Sequence, residues 1–142
     1  MIEISMDKHL IGPWVTTRIG GTWGPEGREA IGLVRDDEEV LAGVMLENYT
    51  GHCITMHIAI SSANVPIRKL LVTSALYVFN QLGCHKILGL VPSTNKAALS
   101  FDTRLGFTPE AIIKDVFKDG DMIVLSMTRE QCGFLPKAKE AA

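Results

Sequence analysis

Between Cys53 and Val91 the apolar residues change their period twice, and nothing else in the 142-residue chain restricts its fold as much. Cys53 to Ile60 is an apolar run of strand length. From Ile67 onward Ile67, Leu70, Leu71, Ala75, Val78 and Leu82 follow the spacing of a helix, which ends at Gly83, a natural C-cap. Lys86 to Val91 then reads as a short buried strand. Strand, helix and strand joined in this way predict a right-handed crossover between two parallel strands, with a ligand crevice at their carboxyl ends.

The flanking segments read as antiparallel. The stretch Gly20 to Gly27 (GGTWGPEG) is too dense in Gly and Pro for a regular element and is a loop. Trp14 and Trp23 bracket a short N-terminal region that reads as irregular. Ala30 to Arg35 and Val40 to Asn48 are apolar runs on either side of Asp36–Glu39, and a second turn at Tyr49–Gly51 leads into Cys53, so a three-strand meander is expected. Asn95 to Leu105 predicts a shorter helix, and Leu105-Gly106-Phe107 returns the chain to the sheet. Ala111 to Phe117 and Met122 to Thr128 then flank Lys118-Asp119-Gly120-Asp121, where Asp-Gly signals a hairpin. The polar end, Pro136 to Ala142, is expected to fray.

Composition removes several function classes. A chain of this length fits one domain, residues 1–142, and 46% hydrophobic with 21% charged residues is ordinary for a globular protein. The formal net charge of −2 gives no general attraction to nucleic acid or to an anionic membrane, so neither is an expected partner. Three cysteines, Cys53, Cys84 and Cys132, are an odd number without metal-ligand spacing, which argues for no metal and a reducing cytoplasm. The opening MIEISMDKHLIG has acids and a histidine where a signal peptide needs basic and then apolar residues.

Arg68 and Lys69 occupy the first turn of the long helix, where free N–H groups and the macrodipole disfavour cations and a bound anion would relieve the conflict. Asn95 opens the short helix and is a good N-cap by residue type. Phe101 has a spacing from Ala98 and Leu105 that makes it core or a ligand wall. Asp102 shares the apolar face of Ala98 and Leu105 without a cation at helical spacing. His57, between Met56 and Ile58, points away from the main apolar row of its strand, and Glu47 ends the preceding one. Each of the two is more often structural or solvated than catalytic.

The segment NKAALSFDTRLGF, Asn95 to Phe107, is similar to the Asn-x-x-Ala…Leu-Gly-Phe signature of the GNAT superfamily of N-acetyltransferases, and within it to small acetyltransferase-like proteins of phage and prophage. The resemblance covers roughly the last two thirds of the chain. It implies an α/β (α+β) fold: a splayed mixed sheet with an antiparallel meander, a crossover helix and a C-terminal hairpin, with acetyl-coenzyme A wedged between the two parallel strands. It implies direct acetyl transfer to a primary amine of a small molecule or peptide, by a protomer alone or in a homodimer. The coenzyme would then be bound by Ile58, Ala59 and Ile60, whose backbone N–H groups polarise the thioester, by Ile67, Arg68 and Lys69 at the phosphates, and by Asn95, Ala98 and Phe101. Asp102 stands where many family members have a tyrosine that protonates the departing thiolate, and His57, or less favourably Glu47, stands on a strand that sometimes holds a general base. The family's N-terminal region builds the acceptor side, where Trp14 and Trp23 are candidate lining. The departure is the phosphate loop: Ala63 to Arg68 reads ANVPIR, without the usual glycines. That loop and the missing tyrosine favour the rival reading, a non-catalytic phage structural or host-interaction protein of the same fold.

Overall fold

The computed structural model describes residues 1–135; the terminus expected to fray, Pro136 to Ala142, lies outside the described residues. Among the described residues seven strands form one sheet: β1 (Ile2–Ser5), β2 (Glu29–Arg35), β3 (Glu39–Glu47), β4 (Cys53–Ile60), β5 (Lys86–Pro92), β6 (Thr108–Phe117) and β7 (Gly120–Thr128). Their order across the sheet is β1-β2-β3-β4-β5-β7-β6. Of these neighbours only β4 and β5 run parallel. The meander, the crossover and the final hairpin stand where the apolar pattern places them, and the sheet is mixed as expected.

Helices cover both faces of the sheet. On β4 the even residues Ile54, Met56, Ile58 and Ile60 pack into the larger core cluster with α2 (Arg68–Leu76), while Ala59 joins a second cluster with α1 (Lys8–Ile19). Because alternate strand residues face opposite sides, α1 lies on one face and α2 lies on the other with α3 (Lys96–Leu105), whose Ala98, Leu99 and Leu105 pack into the larger cluster. None of the described helices is long and apolar enough to cross a membrane.

The region between Trp14 and Trp23 is irregular only from Gly20 onward; as far as Ile19 it belongs to the helix α1. Asp7 caps α1 by accepting from the His9 N–H at 3.1 Å, and Gly20 ends it in the left-handed region at φ 81°. Pro13 inside the helix conceals it from pattern reading, since proline removes a helical hydrogen bond. The Thr16 and Thr17 hydroxyls bond the Pro13 carbonyl at 3.2 and 2.8 Å. Tertiary packing holds the helix in place. Gly32 of β2 and Gly43 of β3 are directly opposed, and a β-carbon on either would lie 2.2 or 2.5 Å from the side chains of Ile11 and Val15. These two bare positions let α1 sit close to the sheet.

The crossover helix is also shorter than its apolar period suggests. It passes at Tyr77–Gln81 into a π-turn, in which the Leu82 N–H reaches back to the Tyr77 carbonyl at 2.9 Å, and Gly83 follows at φ 69°. Gly106 has φ 122°, and a β-carbon there would lie 2.1 Å from the Gln131 carbonyl oxygen, so the motif glycine is fixed by space as well as by backbone angle.

The Gly43→Ala variant should lose about 1–3 kcal/mol of stability, because the added methyl drives Val15 and Ile11 off the sheet. Urea unfolding should show this as a lower midpoint with an unchanged slope.

Candidate functional site

The site begins where the parallel ladder stops. Cys53, Ile54 and Thr55 pair with Lys86, Ile87 and Leu88, and there the ladder ends. Yet β4 stays bonded to β3 as far as Ile60, and β5 stays bonded to β7 as far as Pro92. Each strand twists with its own outer neighbour, so the sheet splays. Met56–Ile60 and Gly89–Pro92 face a gap with no strand between them, and their inward backbone N–H and C=O groups are left for another partner.

On the α1 face of that gap stands a charged row. Glu47 is opposite Thr55 in the ladder and His57 opposite Met45, which makes Glu47 and His57 diagonal neighbours on one face. His57 Nε2 lies 2.6 Å from Glu47 Oε2, and Arg28 Nε donates to Glu47 Oε1 at 3.0 Å. All three side chains are largely buried, at 16, 20 and 23% exposure for His57, Glu47 and Arg28. Burial would push the Glu47 carboxyl up. The hydrogen bonds from His57 and Arg28, with their charges, outweigh that and hold it below the ordinary carboxylate value.

Asp102 approaches from the other face. It projects from α3 over Gly89, the first β5 residue beyond the ladder, where a β-carbon would lie 3.6 Å from Asp102 Oδ2. No cation pairs with it among the described residues, and burial pushes its carboxyl up to about 6. Asp102 and His57 therefore belong to opposite faces of the sheet, each beside the gap that opens between β4 and β5.

The remaining predicted positions fall around the gap. Ile58, Ala59 and Ile60 form the β4 edge. Ile67 leads into α2, whose start has no side-chain cap, and Arg68 and Lys69 are exposed there without an ion pair among the described residues. With Pro66, Ile67, Val72 and Thr73 they line an open groove of about 690 Å³. Asn95 does cap α3, its Oδ1 accepting from the Ala98 N–H at 3.1 Å. Ala98 packs on the core, whereas Phe101 is half-buried and belongs to neither core cluster. Trp14 and Trp23 both pack against the α1-side cluster, Trp14 under the Arg18 guanidinium at 3.7 Å and Trp23 against Gly12, and Trp23 also lines a cavity at the Gly-rich loop.

Arg28 is the residue sequence reading misses. Its signal was present but needed the strand register: Glu29 pairs with Leu46, so the position before it comes level with Glu47.

No protein-family profile matches the sequence, and no curated protein matches it. Solved structures do match the fold. A mutant form of the spermidine/spermine N-acetyltransferase SpeG from Vibrio cholerae superposes with a TM-score of 0.73 at 14% identity, over 92% of this chain and 96% of that one. A chimera of the Vibrio cholerae spermidine N-acetyltransferase with hSSAT gives 0.72 at 15%, over 95% and 99%. A protein described as a phosphinothricin N-acetyltransferase gives 0.67 at 15%, over 90% and 98%. The chain has the fold of these GNAT acetyltransferases.

The Asp102 carboxyl, ordinarily near 3.8, titrates near 6 in the folded protein, so the fold binds its proton more tightly than the unfolded chain does. The stability this gives is full below pH 3.8 and is lost as pH rises through about 6. Asp102→Asn removes the charge penalty. At pH 8 it should be more stable than the parent by on the order of 1 kcal/mol, once solvent screening of a half-buried group is allowed for, and should melt at a higher temperature. The gain should vanish as pH falls to about 4.

Proposed function

We propose that the protein is an N-acetyltransferase that moves an acetyl group from acetyl-coenzyme A directly to a primary amine. The observation that carries this reading is the gap that opens beyond Thr55 and Leu88, flanked by a hydrogen-bonded histidine on one face and a carboxyl raised to about 6 on the other. The names of the structural neighbours, which concern acetylation of spermidine, spermine or phosphinothricin, support the reaction class.

The residues present suit the coenzyme. Uncapped N–H groups at the start of α2, with Arg68 and Lys69, suit its phosphates, and the groove from Pro66 to Thr73 adds apolar surface. The unpaired edge at Ile58, Ala59 and Ile60 suits its amide arm. Asn95 spends Oδ1 on the helix cap, so its amide NH₂ remains for a contact, with Ala98 and Phe101 beside it. When bound, acetyl-coenzyme A supplies the thioester acyl group and departs as a thiol.

In this scheme His57 is the general base. Its Nε2–H donates to Glu47, which fixes the tautomer and leaves Nδ1 to take the proton of the attacking amine. Glu47 stabilises the imidazolium that results, and Arg28 holds the second Glu47 oxygen in place. A backbone N–H between Ile58 and Ile60 polarises the acyl carbonyl. Asp102 returns a proton to the departing sulfur, and as its carboxyl titrates near 6 this contribution fades as pH rises above that value. One proton enters His57 and one leaves Asp102, and solvent resets both.

The glycine-free loop at Ala63 to Arg68 favours a second reading, a GNAT-fold module without catalysis. Calorimetry separates the two: the transferase should bind acetyl-coenzyme A and release thiol with an amine panel, and no heat at millimolar coenzyme would leave the module. The double variant Arg68→Ala with Lys69→Ala should weaken coenzyme binding by about 1–3 kcal/mol, the scale of hydrogen bonds to charged groups. Equal affinity of variant and parent would show both side chains to be merely solvated. His57→Gln should lower the transfer rate about 10²- to 10⁴-fold and leave coenzyme affinity nearly unchanged.

A further inference from the structure

The cavity at the Gly-rich loop shares no lining residue with the groove at the start of α2. It measures about 430 Å³ and is lined by Thr22, Trp23, Gly24, Pro25, Glu26 and Arg28. Its walls are held. The Lys8 ammonium of α1 donates to the Pro25 carbonyl at 3.2 Å and to the Arg28 carbonyl at 3.0 Å, which ties the loop to the helix. Trp23 lies against the bare backbone of Gly12, where a β-carbon would be 2.2 Å from its ring. Arg28 Nη1 donates to the Thr22 carbonyl at 2.7 Å and closes the loop on itself. A Gly- and Pro-rich segment pinned in these ways is a preformed wall, and ordering it costs little when a ligand arrives.

Arg28, in the cavity wall, is joined to His57 through one carboxylate. Glu47 accepts from Arg28 through Oε1 and contacts His57 through Oε2, so guanidinium and imidazole stand within a few ångströms of each other across it. A guanidinium has five N–H donors, and Arg28 spends one at Nε and one at Nη1. The others remain at the wall of the cavity, and they suit the two oxygens of a carboxylate. Two carboxylates oppose a bound anion: Glu47, which already pairs with the guanidinium, and Glu26 on the cavity wall. Glu26 is exposed on the loop, where solvent screens it, whereas Arg28 is three quarters buried and oriented by its bonds.

We propose that this cavity is the acceptor's recognition site and that Arg28 holds a carboxylate on the substrate, which makes the acceptor an amino acid whose amine reaches His57. The inference rests on the transferase reading above and narrows it: an amino acid places its anion on the remaining donors of Arg28 and its amine on the base, whereas a polyamine, which has no anion, leaves those donors unmatched.

The test compares three matched acceptors with the intact protein and acetyl-coenzyme A: an amino acid, its carboxamide, and a diamine of similar length. The parent should favour the acid over the carboxamide by at least about tenfold in kcat/KM, and Arg28→Gln should bring that ratio to within about twofold, while Glu26→Gln, which removes an opposing anion, should keep or raise it. The ratio is read within each variant, so a general loss of activity through Glu47 does not imitate the result. Should Arg28→Gln fail to fold, inhibition of the parent decides: a carboxylic acid lacking the amine should compete with the acceptor, and its amide should not. Equal use of acid and carboxamide, or a preference for the diamine, overturns the carboxylate site and leaves acetyl transfer standing. Acetylation of no acceptor by protein that binds the coenzyme counts against the transferase reading itself and removes the site with it.

Discussion

Everything around the candidate site depends on the early end of one hydrogen-bond ladder. Had β4 and β5 stayed paired past Thr55 and Leu88, the two faces of the sheet would be sealed from one another, with His57 on the α1 side and Asp102 on the side of α2 and α3. The divergence exposes backbone groups whose hydrogen-bonding capacity must be met, and it does so inside an otherwise well-packed sheet. It is stable because along the gap each strand keeps its ladder on the outer side, β4 with β3 and β5 with β7. The cost of the open edge is thus confined to the inner side of each strand.

The two carboxyls beside the gap show how environment divides one chemical group into two behaviours. Glu47 is buried but meets a guanidinium and an imidazole, and it is held ionised. Asp102 is buried without a cation among the described residues, and its carboxyl rises to about 6. Environment alone thus separates a carboxylate held ionised from one that takes up a proton near pH 6. The helix α1 supports the first of them at a distance. By seating on Gly32 and Gly43 it places Lys8 and Gly12 where they anchor the loop, and the loop's last residue is Arg28.

The sequence by itself determined the order of elements from Ala30 to Thr128. Apolar periodicity reports which residues must leave water, and a change of period from two to nearly four cannot be satisfied by the same backbone. The Asn95 cap, the Gly83 helix end and the hairpin after Phe117 were legible for the same local reason: a cap or turn is made by residues adjacent in the chain. Asp102 was legible as a charge on an apolar face. The helix α1 was not, because Pro13 argues locally against it and the contacts that hold it, Ile11 and Val15 on two opposed glycines, come from strands well removed in sequence.

What only the tertiary structure decided were relations between strands. His57 and Glu47 could each be singled out, but their union through a 2.6 Å contact follows from the β3–β4 register, and Arg28 joined them only through the register of β2 on β3. The position of Asp102 over Gly89, opposite in face to His57, depends on how α3 docks and on where the ladder ends. Local sequence sets the conformation each segment prefers, since that preference is a matter of neighbouring side chains and backbone angles. Register, splay and the burial that shifts a carboxyl are properties of segments far apart in the chain, and they take their values only when the sheet has closed around them.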